Sequence, residues 1–137
     1  MTLRFHHIGV ACEKLGPEID AHTLLGYHQE GDVFVDPAQR IRGVFMTNGG
    51  ARVELLEPAG ADSPLRPFLQ RGQKMYHQAF QTDAIEDEFA RLVDAGAIAR
   101  VAPMPAVAFN GRRIAFLMLR TLLLVELIEA PREDSHP

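Results

Sequence analysis

The sequence is poor in several features, and each shortage excludes a class of protein. Cys12 is the single cysteine, so the chain can form neither an internal disulfide nor a zinc cluster built from cysteines. No apolar run approaches the ~20 residues of a membrane-spanning helix. The first residues also lack the apolar stretch and small-residue cleavage site of a secretory signal. We therefore expect a cytoplasmic protein without a membrane anchor.

Basic residues are outnumbered as well. Lys and Arg total 14 against 18 Asp and Glu, which gives a formal net charge of −4. No basic run with interleaved aromatic residues is present, so the sequence argues against nucleic-acid binding. What remains is ordinary globular composition, with 47% hydrophobic and 23% charged residues in a chain of 137. That length is enough to bury the core of one domain.

The chain contains two copies of one pattern. An apolar segment with a histidine begins each copy, at residues 5–11 and 75–80, and an apolar segment with a glutamate ends it, at residues 53–58 and 125–131. From His7 to Glu54 is 47 residues, and from His77 to Glu126 is 49. Two copies are too few for a solenoid. The pattern therefore predicts two paired modules in a single domain (residues 1–137): module one spans about residues 3–58, the connector 59–74, and module two about 75–131.

Each module carries signals for one helix followed by at least three strand segments. In module two, Asp83 is predicted to cap a helix with Glu86 as its capping-box partner. Asparagine and glycine tolerate positive φ, so residues 48–50 and 110–111 are predicted hairpin turns. The predicted later strands cover residues 31–35, 40–47 and 51–56, then 97–101, 107–109, 112–117 and 122–128. Each module is therefore βαβββ, and the fold class is α+β with a mixed or antiparallel sheet.

Histidine and glutamate at the repeated positions allow two interpretations. A lone histidine in an apolar strand is usually a core or edge residue, and Glu54 and Glu126 can face solvent while their neighbours form the core. The repeat favours a different interpretation, because each module places a histidine on its first strand and a glutamate on its last. If the modules pair about a pseudo-twofold axis, all four side chains converge. Two neutral imidazoles and two carboxylates balance one divalent cation, and such donors suit Zn, Co, Ni, Mn or Fe(II). His7, Glu54, His77 and Glu126 are therefore the predicted metal ligands.

With these residues in place, the chain resembles the glyoxalase/bleomycin resistance/dioxygenase superfamily, also called the vicinal oxygen chelate superfamily. Within it, the chain is most similar to the methylmalonyl-CoA epimerase family. The segments that carry the resemblance are residues 6–11, 53–58, 76–80, 110–117 and 125–129. The resemblance implies paired βαβββ modules forming a cupped mixed sheet around a metal site, with the family's ligand positions on the four residues above. Homodimers are common in this superfamily, so the resemblance also implies a homodimer, which an exposed sheet edge would favour.

The activity that the resemblance implies is that of a metal-dependent isomerase or epimerase. Such an enzyme abstracts a proton α to a thioester or carbonyl, and the metal stabilises the enolate. Glu126 is the first choice for the carboxylate that moves the proton, and Glu54 is the second. In some epimerases a further carboxylate, on the strand that matches residues 40–46, is thought to act as a second base. Here residues 37–53 contain no Asp or Glu, and Gly43 occupies that position.

Several other side chains are candidates for substrate binding. Arg112 and Arg113 follow the second hairpin and can bind a carboxylate or phosphate, although alternation lets only one of them face the site. The candidates for the pocket lining are aromatic residues and methionines: Tyr76, Phe45, Met46, Phe109 and Met118. The substrate would be a small molecule such as an acyl-CoA or a glutathione adduct.

Three other functions stay open at this point. A glyoxalase I-like lyase would use the same four ligands on a glutathione hemithioacetal. A non-haem iron dioxygenase would use two histidines and one carboxylate, so four protein ligands count against it. A small-molecule binding or resistance protein would keep the fold without turnover, although such members often lack the ligands.

Overall fold

A computed structural model describes residues 3–131 of the chain. The βαβββ order occurs twice within them. The first copy is β1 (Arg4–Ala11), α1 (Leu15–Leu24), β2 (His28–Asp36), β3 (Ile41–Asn48) and β4 (Ala51–Pro58), and the second is β5 (Met75–Thr82), α3 (Ile85–Asp94), β6 (Ile98–Pro105), β7 (Arg113–Met118) and β8 (Leu124–Glu129). The short helix α2 (Arg66–Gln70) lies in the connector. In this described part, no helix has the length and apolar character needed to span a membrane.

The strands of each module form a mixed sheet. Module one contributes its strands in the order β2-β3-β4-β1, and module two in the order β5-β8-β7-β6. In each module the first strand runs parallel to the last, while the two hairpin pairs are antiparallel. The helix that follows the first strand allows this parallel pairing, because parallel strands need a crossover connection. The predicted α+β fold of two βαβββ modules is confirmed.

The chain also divides into two compact units. One is His7–Tyr76, and the other holds residues 3–6 together with 77–131. In the first unit, α1 covers one face of the strands through a core that includes Val10, Leu15, Val44, Met46, Val53 and Leu55. Because successive strand residues point to opposite faces, the residues between these core positions lie on the face away from α1.

The second unit repeats this arrangement. Ile85, Phe89 and Leu92 fall on one face of α3, at the spacing that an amphipathic helix requires. They pack with Ala97, Ala115, Leu117, Val125 and Leu127. Residues 114, 116, 126 and 128 alternate with this core and therefore lie on the face away from α3.

The predicted capping box at the start of α3 is wrong. The cap residue is Ala84, and it makes no side-chain capping hydrogen bond. Asp83 instead accepts a hydrogen bond from Arg4 at 3.3 Å, and Glu86 accepts one from Arg113 at 2.9 Å. Both carboxylates are hydrogen-bonded to arginines that are distant in sequence. The local sequence pattern therefore does not decide the partners of Asp83 and Glu86.

In module two, one predicted strand is wrong and another begins too early. Val107–Phe109 forms a single 3-10 turn, because Asn110 adopts a left-handed conformation at φ 55° directly after it. Leu122 has a φ of 71° and is exposed, so β8 begins only at Leu124. Both segments are apolar enough for a strand, but the chain reverses direction at each of them.

Candidate metal centre

The first half of the candidate site is the pair His7 and Glu54. β1 runs beside β4 with Gly9 opposite Glu54, so His7 on β1 lies on the same face as Glu54. The imidazole Nε2 of His7 is 3.1 Å from Oε1 of Glu54. Both residues are buried, with 0% and 4% of their surface exposed. The pair lies on the face away from α1, because Val53 and Leu55 on either side of Glu54 belong to the core beneath that helix.

The second half repeats this geometry with His77 and Glu126. On β5 and β8, Ala79 stands opposite Glu126, so the histidine again lies two residues before the partner of the glutamate. Nε2 of His77 is 3.1 Å from Oε1 of Glu126, and the residues are 4% and 3% exposed. The equal register explains why the sequence spacings in the two modules are nearly equal.

All four residues are buried, and they make up a set of side chains that could hold a metal ion. The alternative in which Glu54 and Glu126 face solvent is wrong, since both carboxylates are buried. A buried carboxylate costs several kcal/mol unless a charge or hydrogen bonds compensate it. Two imidazole nitrogens and two carboxylate oxygens are donors that fit a divalent transition metal. The chemistry of the donor set is therefore suited to a cation, and ligation by these four residues stays a prediction.

Each histidine of the group also contacts a phenylalanine. The rings of His7 and Phe45 are 5.1 Å apart and nearly perpendicular, and those of His77 and Phe116 are 5.3 Å apart with the same geometry. Edge-to-face contacts of this kind fix the plane of a ring. Phe45 is among the residues that the sequence predicts for the pocket, whereas Phe116 is not. The signal was present, because Phe45 follows His7 by 38 residues and Phe116 follows His77 by 39.

The two predicted substrate arginines lie on opposite faces of module two. Arg113 donates hydrogen bonds to Glu129 at 2.8 Å and to Glu86 of α3 at 2.9 Å, so it points towards the helix. These hydrogen bonds raise the pKa of its guanidinium above the ordinary value. Arg112 instead donates to the backbone carbonyl of Glu129 at 2.9 Å, and its guanidinium lies over the ring of Phe109. Burial lowers the pKa of Arg112.

The remaining predicted pocket residues have mixed positions. Tyr76 is buried, and its ring packs edge-on against Phe68 at 4.8 Å. It precedes His77 on β5, so it points to the opposite face of that strand. Met46 lies in the core beneath α1, because it alternates with Phe45. Substrate binding by Tyr76, Arg112 and Arg113 stays a prediction.

Comparison with known proteins agrees with this arrangement. The family model of the glyoxalase/bleomycin resistance protein/dioxygenase superfamily matches residues 6–116. An uncharacterized Bacillus subtilis protein, YqjC, is 33% identical over 97% of this chain and 96% of its own length. An ethylmalonyl-CoA/methylmalonyl-CoA epimerase of Cereibacter sphaeroides is 24% identical over 85% of this chain and 89% of its own.

A solved structure is similar over nearly the whole chain. It is a variant of the methylmalonyl-CoA epimerase of Streptomyces coelicolor in complex with 2-nitronate-propionyl-CoA. The two chains are 25% identical, the match covers 96% of this chain and 100% of the other, and the TM-score is 0.80. The repeated modules, the buried histidines and glutamates, and these matches lead to one conclusion: the chain belongs to the glyoxalase/bleomycin resistance protein/dioxygenase superfamily.

Proposed function

We propose that this protein is a metal-dependent isomerase or epimerase that moves a proton at a carbon α to a thioester or carbonyl. The observation that carries the proposal is the set of two histidines and two glutamates, all of them buried, with each histidine 3.1 Å from its glutamate. The similarity to methylmalonyl-CoA epimerases supports an acyl-CoA as the substrate, since relatives carry that activity in their names.

His7, Glu54, His77 and Glu126 would hold the cation. When bound, the cation supplies Lewis-acid stabilisation of the negative charge that develops on the substrate's carbonyl oxygen. The protein's own contribution is to hold these donors in a buried place before the reaction begins, because preorganised groups need no reorganisation as charge develops. Phe45 and Phe116 support this role by fixing the planes of the two imidazoles.

Proton transfer requires a base within reach of the α-carbon. The two carboxylates of the group are the candidates, and we assign the transfer to Glu126 first and to Glu54 second. Each is buried beside an imidazole at 3.1 Å, so each is held in one orientation. Residue 43 has no side chain, and so β3 supplies no further carboxylate at the position where some epimerases carry a base.

A glyoxalase I-like lyase is the alternative enzyme, since it would use the same four ligands and would also move a proton between adjacent carbons. The alternative without turnover is a protein that only binds a small molecule. A cytoplasmic location and a homodimer remain expectations alongside the proposal.

The test of the proposal combines metal content with proton exchange. Wild-type protein, His77→Ala and the control His28→Ala would be purified and analysed for Zn, Co, Ni, Mn and Fe. His28 is a matched control because it is exposed on β2. We expect about one ion per chain in the wild type and in the control, with loss of the metal in His77→Ala.

The same three proteins would then be incubated in D2O with methylmalonyl-CoA and, separately, with methylglyoxal and glutathione. Uptake of deuterium at the α-carbon of the acyl-CoA, in the wild type and control only, supports the epimerase. Conversion of the hemithioacetal, without deuterium uptake by the acyl-CoA, would contradict the epimerase proposal and support the glyoxalase I-like lyase. A protein that binds no metal when these ions are supplied would contradict the whole proposal.

A further inference from the structure

Gly43 on β3 is covered by a phenylalanine from the neighbouring strand. It stands opposite Phe34 of β2 on one side and opposite Leu56 of β4 on the other. A Cβ atom added at Gly43 would lie 2.6 Å from Cζ of Phe34, 3.0 Å from Cδ2 of Leu56 and 3.1 Å from the carbonyl oxygen of Leu55. Real Cβ atoms essentially never approach another atom as closely as 2.6 Å, and approaches of 3.0 and 3.1 Å are rare. The side chains of Phe34 and Leu56 therefore occupy the space above this glycine, which is the kind of close approach that only glycine permits.

An irregularity in β2 brings Phe34 to this position. Glu30 pairs with Phe45, so a regular antiparallel ladder would place Phe34 opposite Ile41. The register shifts between Glu30 and Phe34, and the shift includes Gly31 at a φ of 79°. Bulges of this kind redirect side chains. As a result Phe34 stands opposite the one residue of β3 that leaves room for its ring.

Phe34 continues an aromatic path to the candidate ligands. Its ring centroid is 6.1 Å from that of Phe45, and Phe45 contacts His7 at 5.1 Å. Phe45 also stands opposite Glu54 in the β3–β4 ladder. These side chains therefore share the face of the strands that carries the His7–Glu54 pair. We call Phe34, Phe45 and Leu56 the aromatic wall.

The wall has the chemistry of a surface for an apolar group. All three side chains are hydrocarbon, and Phe34 and Phe45 are only partly buried, so both retain some exposed surface. A substrate whose reacting carbon lies near His7 and Glu54 would place a substituent of that carbon against this surface. Contact with hydrocarbon favours an alkyl substituent and disfavours a carboxylate, which would lose its hydration there.

We propose that Phe34 is a specificity-determining residue, and that the aromatic wall receives the alkyl substituent on the α-carbon of the substrate. The substrate class is then an acyl thioester with a short α-alkyl group. The ring of Phe34 over Gly43 limits the length of that group, because it fills the space into which a longer chain would extend. This inference rests on the proposed isomerase function and adds the residue that selects among its substrates.

The test compares alkyl length between variants. Wild type, Phe34→Ala, Phe34→Leu and the control Val35→Ala would be assayed with methylmalonyl-CoA, ethylmalonyl-CoA and butylmalonyl-CoA. Val35 neighbours Phe34 on β2, points to the opposite face and is exposed. One methylene in an apolar pocket changes kcat/KM by about tenfold or more. We therefore expect the butyl-to-methyl ratio of kcat/KM to rise by at least about tenfold in Phe34→Ala, by less in Phe34→Leu, and not in the control.

A binding experiment keeps this inference separate from the proposed activity. The cobalt-supplemented proteins would be titrated calorimetrically with methylmalonate and butylmalonate, which requires no turnover. Suppose that no acyl-CoA is converted but Phe34→Ala and Phe34→Leu still shift binding towards butylmalonate. The proposed activity is then wrong, while the role of the aromatic wall in binding the alkyl group is supported. If epimerisation occurs while the butyl-to-methyl ratio changes less than about twofold in both folded variants, the wall is overturned. An equal rise in Val35→Ala would overturn it as well. Phe34→Leu retains an apolar side chain on β2, so the test remains informative if Phe34→Ala does not fold.

Discussion

At the scale of single residues, the two buried glutamates have similar surroundings but are assigned different roles. Glu54 and Glu126 each lie 3.1 Å from a histidine nitrogen, and each is opposite a small residue of the parallel strand, Gly9 or Ala79. Static geometry alone therefore gives no preference between them as the base. Removing the negative charge of each in turn, without changing its shape, separates ligation from proton transfer.

The first prediction concerns Glu126→Gln and Glu54→Gln. Glutamine keeps the size and an oxygen donor, but it cannot accept a proton. We expect Glu126→Gln to retain metal and to lower the rate of α-deuterium exchange by roughly 10²–10⁴-fold, the range for loss of a general base. Glu54→Gln should lower it less. Metal content and exchange would be measured on the same samples, and a larger loss in Glu54→Gln would reverse the assignment.

The second prediction concerns Cys12. The thiol is buried, and its Sγ donates to the carbonyl oxygen of Leu56 at 3.4 Å. Burial, and then the nearby charge of Glu18, raise the pKa of Cys12 from 9.0 to about 12. Above pH 9 the unfolded chain loses this proton while the folded chain keeps it. The free energy of unfolding should therefore be unaffected by this group below pH 9 and should fall as the pH rises from 9 to 12.

Urea unfolding at pH 8 and pH 10 would measure this effect. We expect the wild type to lose about 1.4 kcal/mol more than Cys12→Ala between these two values, which corresponds to one pH unit above the unfolded pKa. The comparison is made within each protein, so the packing lost in Cys12→Ala cancels. An equal loss in both proteins would show that the thiol does not titrate in this way.

At the scale of elements, strand alternation gives adjacent arginines of module two different roles. Arg113 points towards α3 and binds Glu86 and Glu129. Arg112 directly precedes β7 (Arg113–Met118) and has the same parity as Phe116, which stands opposite Glu126. Two successive arginines at this end of β7 can therefore place only one side chain on the face that carries the candidate ligands.

The third prediction follows from this difference. Arg113→Ala should lower the free energy of unfolding by about 1 kcal/mol, since partly exposed ion pairs contribute no more than that, and it should leave KM unchanged. Arg112→Ala should raise KM for the acyl-CoA without a matching loss of kcat, because it would remove binding of the substrate's anionic part. Chemical denaturation and steady-state kinetics would check both. A raised KM in Arg113→Ala alone would contradict the expected division.

Elements also show where local patterns are sufficient. The α3 stripe of Ile85, Phe89 and Leu92 is predictable because helical spacing is a local property. The capping box at Asp83 is not, because Arg4 and Arg113 come from other elements to bind its carboxylates. Whether such a carboxylate caps the helix or pairs with a distant arginine is decided only when the chain has folded.

At the scale of the whole molecule, metal and stability are linked. An ion that binds the folded chain and not the unfolded chain stabilises it by about 2.7 kcal/mol at a free concentration of 100 times Kd. The fourth prediction is that Zn or Co at this excess raises the thermal midpoint of the wild type by about 10 °C relative to chelator-treated protein. Calorimetry would measure the shift.

Two variants control this experiment. His28→Ala should respond as the wild type does, while His77→Ala should respond little, because it lacks one of the four donors. An unchanged midpoint in the wild type at saturating metal would count against a structural cation. An equal rise of the thermal midpoint in His77→Ala would show that the metal binds at another part of the chain.

The sequence by itself determined the two βαβββ modules and the candidates His7, Glu54, His77 and Glu126. These follow from repetition and from strand alternation, and both are visible along the chain without knowledge of distant contacts. Only the tertiary structure decided that Glu54 and Glu126 are buried, since one strand can expose either face. The tertiary structure also decided that Phe34 lies over Gly43, because a register shift in β2 sets that pairing. Register depends on which side chains pack across strands, and that is settled only when the strands meet.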